Sequence, residues 1–224
     1  MAISFRKIST IEPVVAYLTL RITRRLALGQ KVLWLVTGGS AMKIAVTVAK
    51  KLRRTDLRSL TVTLTDERYG PVGHQGSNWL QLKQAGFNLP GANEVPILNG
   101  SSMEATVKRF DKILAREIKN ADYKLGFIGI GPDSHIAGIK PHSPAIDAKT
   151  MAAGYDWDDY RRITMTFPAI ELMDTVVTYL AGEAKQAAIE ALTKDAPLAE
   201  VPSQILKSVK EAIIFNDRVG EAVV

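Results

Sequence analysis

Six short apolar runs recur along the chain, at 31–36 (KVLWLV), 60–65 (LTVTLT), 124–130 (KLGFIGI), 162–167 (RITMTF), 175–181 (TVVTYLA) and 212–215 (AIIF). Several lack polar alternation, which is the pattern of strands covered on both faces. Between them the period changes to that of a helix. Val14, Val15, Leu18, Ile22 and Leu26 fall on one stripe, and a second helix is predicted over about 41–52. A third opens at Ser101 with Glu104 three residues on, a capping box, and runs to about Lys119; a fourth covers 183–193. Such alternation predicts an α/β fold with a mainly parallel sheet and helices on both sides. No repeat, low-complexity tract or linker interrupts it, so one three-layer α/β/α domain over 1–224 is expected.

Composition narrows the class. Of 224 residues, 46% are hydrophobic, enough for a sizeable core, yet no run approaches the roughly 18 apolar residues of a membrane span. The first ten residues are basic but lack the apolar run of a signal peptide. Cysteine is absent, which excludes disulfides and thiol catalysis and fits a reducing compartment. A cytoplasmic protein, a monomer or weak homo-oligomer without a membrane partner, is expected. The net charge is +6, and basic clusters stand at 21–25 (RITRR) and 50–54 (KKLRR). Without aromatic interleaving or zinc-type spacing they read as solvated helix faces, and no nucleic-acid partner is expected. A modest positive field suits a small anionic substrate.

Ligands of open α/β sheets sit beyond the carboxyl ends of the strands, so the residues there carry the chemistry. After the first run comes TGGS, 37–40. Gly38 and Gly39 let backbone N–H groups approach an anion, and Ser40 can cap the helix or donate to a phosphate. An ordinary tight turn is the plain alternative, and the Gly-Lys-Ser/Thr ending of a Walker loop is missing. After the second run, Asp66, Glu67 and Arg68 stand together. Arg68 could neutralise an oxyanion, and Asp66 or Glu67 could orient hydroxyls or transfer a proton. The alternative is a surface ion-pair cluster leading to a Ser77-capped helix.

The third strand end is GIGPDSHIAG, 129–138. It fails as a dinucleotide fingerprint, because Ser134 stands where a third Gly is needed and Pro132 and Pro141 bracket the segment. Asp133 and His135 are the more useful pair, since a carboxylate two residues away can hold an imidazole's tautomer and raise its basicity. No other ligand stands at metal-binding spacing. Later, Arg162 begins a strand, and Lys185 falls in the first turn of a helix, where a cation opposes the macrodipole unless an anion is shared with it.

Taken in order, these segments resemble the 6-phosphogluconolactonase/glucosamine-6-phosphate deaminase family. The family pattern has a Gly-Gly-Ser loop, then Asp-Glu-Arg with a downstream Ser-Asn, here Asp66, Glu67, Arg68, Ser77 and Asn78. Next comes Gly-x-Gly-x-Asp-Gly-His-x-Ala-Ser-Leu-Phe-Pro with Ser-Pro-Ala, matched by 129–146 (GIGPDSHIAGIKPHSPAI). Arg-Ile-Thr at 162–164, Gly-x-x-Lys at 182–185 and a late turn at 201–203 (VPS) complete it. The resemblance spans about 32–206. It implies a modified Rossmann-like fold of the sugar-phosphate isomerase/CoA-transferase type and a sugar-phosphate lactone hydrolase without metal, nucleotide or other cofactor. By resemblance His135 is the general base, Asp133 orients it, and Arg68 stabilises the oxyanion with Asp66 beside it. Gly38, Gly39, Ser40, Arg162 and Lys185 would hold the phosphate.

Three positions depart from the family pattern: Ser134 for Gly, Ala41 for a hydroxyl residue and Lys140 for an aromatic. If position 134 needs a left-handed backbone, Ser there costs on the order of 1–2 kcal/mol. An amino-sugar-phosphate deaminase or isomerase is the first alternative; Arg68 replaces its usual Tyr and 139–141 (IKP) its Asn-Glu-Pro segment. A non-catalytic sugar-phosphate sensor is the second, and the intact Asp133/His135 pair speaks against it. A Ser-His-Asp triad is disfavoured, because no G-x-S-x-G elbow exists.

Overall fold

A computed structural model describes residues 3–158 and 160–223. Its elements begin with β1 (Ile3–Lys7), α1 (Glu12–Ala27), β2 (Val32–Val36), α2 (Met42–Leu52), β3 (Leu60–Leu64), β4 (Asp66–Arg68), α3 (Asn78–Gln84) and β5 (Asn93–Val95). They continue with α4 (Met103–Asn120), β6 (Tyr123–Phe127), β7 (Ala152–Tyr155), β8 (Arg162–Met165), α5 (Phe167–Glu171), β9 (Thr175–Leu180), α6 (Gln186–Thr193), β10 (Ala212–Asn216) and β11 (Glu221–Ala222).

Eight strands form one sheet in the order β11-β1-β10-β9-β6-β2-β3-β5, every neighbouring pair parallel. The apolar runs explain its centre. All five residues of β2 are buried, and Val32 to Val36 lie in register with Leu60 to Leu64 on one side and Tyr123 to Phe127 on the other. Helices flank the sheet, as the alternation predicted; α1 buries Val14, Val15, Leu18 and Ile22 and packs on α2. No helix among the described residues is long and apolar enough to cross a membrane.

From β2 the chain builds outward through β3 to β5, then returns to place β6 on the other flank of β2. The strand order therefore reverses between β2 and β6. Such a switch point opens a crevice at the strands' carboxyl ends. It opens between the loops 37–40 and 129–138.

A second sheet sits beyond the carboxyl end of β3. It is antiparallel, in the order β4-β8-β7, and it is stitched to the first by Thr65, whose N–H reaches Val36 O (3.0 Å) and whose carbonyl accepts from Met165 N (2.8 Å). Its presence corrects the expectation for 162–167: that run does form a strand, but outside the parallel sheet, and Phe167 already begins α5. The third helix is capped by Ser102, whose Oγ accepts from Ala105 N (3.3 Å), one residue later than predicted. The fourth is divided into a 3-10 turn, Glu183–Lys185, and α6.

Candidate active site

The crevice at the switch point is lined by Gly38, Gly39, Ser40, Asp66, Arg68, His135, Arg162 and Lys185 among others. Of the residues expected at the site, Asp133 and Glu67 are missing from this wall; Asp133 stands behind His135, and Glu67 points away from the crevice. Five separate segments thus supply the polar groups, which is why no single motif announced the site.

The base loop follows β6. Asp133 Oδ1 accepts from His135 Nδ1 at 2.5 Å and lies 3.3 Å from its backbone N–H. With Nδ1 holding the proton, Nε2 is the nitrogen whose lone pair remains for a group in the crevice. Burial alone would raise the Asp133 pKa, but hydrogen bonds and charge from His135 and Lys140 outweigh it and hold the carboxyl well below the usual range. Asp133 is therefore an anion at neutral pH and anchors the imidazole in one orientation.

The loop's glycines serve this geometry rather than an anion. A Cβ at Gly131 would lie 2.0 Å from His135 Cε1, and one at Gly129 would lie 2.5 Å from Thr37 Oγ1. The first lets the imidazole fold over the backbone, and the second lets the two loops approach. Ser134 does adopt the left-handed conformation, with φ 64°. It is held there by Ser134 N donating to Gly131 O (3.0 Å) and by Ser203 N donating to Ser134 O (3.1 Å). The late turn at 201–203 therefore backs the base loop. Gly138 N is bound by Thr164 Oγ1 of β8 at 2.9 Å, which fixes the loop's far end.

β4 carries the opposite wall. Asp66 and Arg68 alternate along it and face the crevice, while Glu67 points away. Glu67 is 1% exposed and accepts four hydrogen bonds, from Arg68 N (2.8 Å), Asn78 N (2.6 Å), Trp79 N (3.0 Å) and Ser77 Oγ (2.9 Å). Burial pushes its pKa up while these donors pull it down. Both oxygens are occupied, which corrects the expectation that Glu67 could orient hydroxyls or transfer a proton: it ties α3 to the strand. Asp66 accepts from Thr65 Oγ1 at 2.8 Å, and Asn78 Nδ2 reaches its backbone carbonyl at 3.0 Å. Arg68 donates to Gly76 O (3.0 Å), and the Tyr160 ring lies 5.3 Å from its guanidinium carbon. Its head is thus positioned before any ligand arrives.

Arg68 and Arg162 are directly paired across β4 and β8, with Arg162 only 6% exposed. Like charges opposed in this way destabilise a sheet unless an anion lies between them. Lys185 approaches from the turn before α6, its Nζ donating to Ile130 O at 2.5 Å. Burial lowers its pKa, Asp133 raises it, and Lys140 lowers it further. An anion in the crevice would relieve this crowding of positive charge.

The Gly-Gly turn differs from expectation in one respect. Gly38 is required by closeness, since a Cβ there would lie 2.3 Å from Asn78 Cγ, and Gly39 by its φ of 69°. Ser40, however, caps no helix: it lies inside a 3-10 turn, and α2 starts from Ala41 without a side-chain cap. Ser40 and Gly39 are exposed at the mouth instead. Tyr179, near the end of β9, also lines the crevice and was not anticipated. The strand-end rule that found the other groups would have found it, had the search run back along the strand.

Residues 7–215 match the family described as glucosamine-6-phosphate isomerases/6-phosphogluconolactonase. The chain is 26% identical over 193 residues to a 6-phosphogluconolactonase of Mycobacterium tuberculosis, covering 79% of this chain and 78% of the relative. It is 27% identical over 227 residues to one of Synechocystis, covering 94% and 92%. In fold it is similar to the crystal structure of a 6-phosphogluconolactonase from Shewanella baltica, with TM-score 0.82, 18% identity and 96% and 97% of the two chains covered. A monomeric glucosamine-6-phosphate deaminase also superposes, with TM-score 0.76, 15% identity and 95% and 97% covered. With the family pattern matched from the end of β1 to β10, the chain belongs to the glucosamine-6-phosphate isomerase/6-phosphogluconolactonase family.

Proposed function

We propose that this chain hydrolyses 6-phospho-D-glucono-1,5-lactone to 6-phosphogluconate, the lactone-opening step of the pentose phosphate pathway. The observation that carries this reading is the 2.5 Å Asp133–His135 contact beside a crevice holding Arg68, Arg162 and Lys185. The names of the curated relatives support the same substrate.

The phosphate is held by Arg162, Lys185 and the Gly38-Gly39-Ser40 turn. His135 Nε2 takes a proton from water as its oxygen attacks the lactone carbonyl carbon. Arg68 stabilises the resulting oxyanion, and Asp66 holds a sugar hydroxyl. Collapse of the tetrahedral intermediate breaks the bond to the ring oxygen, which receives the proton back from His135. The product acid then ionises. A δ-lactone is a reactive ester, so a positioned base and an oxyanion partner suffice without a covalent intermediate.

The test is an assay on freshly made 6-phosphoglucono-δ-lactone, corrected for spontaneous opening. Acceleration is expected, and no ammonia from glucosamine 6-phosphate. Ammonia release would establish a deaminase instead. Tight 6-phosphogluconate binding without acceleration would establish a sensor.

A further inference from the structure

Asp133 is shared. Its Oδ1 is taken by His135, and its Oδ2 accepts from Lys140 Nζ at 3.0 Å. Lys140 is not a surface lysine that happens to lie near: its side chain is only 17% exposed. Its backbone N–H donates to Tyr155 Oη at 3.3 Å, and Tyr155 in turn donates to Gly138 O, so the segment is held from β7. Burying an ammonium is unfavourable unless it is paired, and Asp133 is the partner that makes this placement possible. Lys140 is not among the residues that line the crevice.

The geometry points to Lys140 as a positioning residue that acts through Asp133, forming a Lys140–Asp133–His135 chain in which the carboxylate is divided between an ammonium and an imidazole N–H. This rests on His135 being the base. Two consequences follow from electrostatics. Lys140 fixes the carboxylate plane by holding the oxygen that His135 leaves unused. Its charge also offsets that of Asp133, so the imidazolium is stabilised less than an unshared carboxylate would stabilise it. The other charged or titratable groups that line the crevice with His135 are Asp66 and Arg68 from β4, Arg162 from β8, Tyr179 from β9 and Lys185 before α6. Replacing Lys140 leaves all of them in place.

The experiment compares Lys140→Met, which keeps the side-chain volume without the charge, and Lys140→Arg, which keeps the charge. Imidazole proton resonances of the three histidines are titrated by NMR, with His135 assigned by its loss in His135→Gln. In Lys140→Met the His135 midpoint is expected to rise by about half a pH unit or more. The acid limb of kcat/KM should move the same way with KM little changed, and Lys140→Arg should stay with the wild type. An unchanged or lower midpoint in folded Lys140→Met overturns the assignment, whatever the enzyme hydrolyses. A raised midpoint in a protein that fails to open the lactone upholds it and defeats only the proposed function.

Discussion

The two sheets of this molecule are built on opposite terms. The parallel sheet is held by burial: Trp34, Leu35, Leu125 and Phe127 are each fully buried, and its central strands carry hardly a charge. The antiparallel sheet brings Asp66, Glu67 and Arg162 into equally buried positions. Its order depends on partners for its buried polar groups, and Glu67 has four donors. The first sheet sets where a crevice can exist. The second, with the base loop, sets what the crevice can hold. The cross-strand pairing of Arg68 with Arg162 marks the division most clearly, since it sets two cations side by side where the parallel sheet sets apolar residues.

The contrast can be broken at graded points. Phe127→Ala in β6 is expected to cost about 3–5 kcal/mol of stability in urea denaturation, leaving KM of the folded fraction unchanged. Glu67→Ala should cost about 2–4 kcal/mol by orphaning buried N–H groups. Unlike the first variant it should also lower kcat, because the Arg68 backbone N–H loses its acceptor and β4 its tie to α3. Lys185→Ala should leave the melting curve in place and raise KM roughly 10–100-fold, the worth of a charge-assisted hydrogen bond. A pH series adds to this variant. Burial lowers the Lys185 pKa, so affinity of the wild type for 6-phosphogluconate should fall with rising pH before an ordinary lysine would deprotonate. Calorimetric binding in the wild type and Lys185→Ala separates that loss from others. Smallest is Ser134→Gly, expected to stabilise by about 1 kcal/mol because it relieves a left-handed serine. A loss of stability there would show that the Ser134 side chain holds the loop.

The two sheets also differ in how legible they were. Continuous apolar runs marked β2, β3, β6, β9 and β10, because strands buried on both faces leave no choice of residue type. Their place after strands singles out Asp133, His135 and the cations that the structure gathers around the crevice. In the small sheet only β8 has such a run: Asp-Glu-Arg has no strand pattern, and β4 is held by its pairing with β8 and by Glu67's donors. β1, β5, β7 and β11 are only partly buried or exposed, so no continuous apolar run marks them. The cap expected at Ser40 is absent for a related reason, since the chain makes a 3-10 turn before α2 and the N-cap position falls on Ala41. Lys140 stood out only as a departure from pattern; its contact with Asp133 depends on the backbone turning at Ser134 and Ala137, both with positive φ.

The most direct measurement is kcat for 6-phosphoglucono-δ-lactone in wild type and His135→Ala, with unfolding monitored on the same samples. If His135 is the base, kcat falls by about 10²–10⁴ while the unfolding transition stays in place. Near-normal turnover in a folded His135→Ala would contradict it.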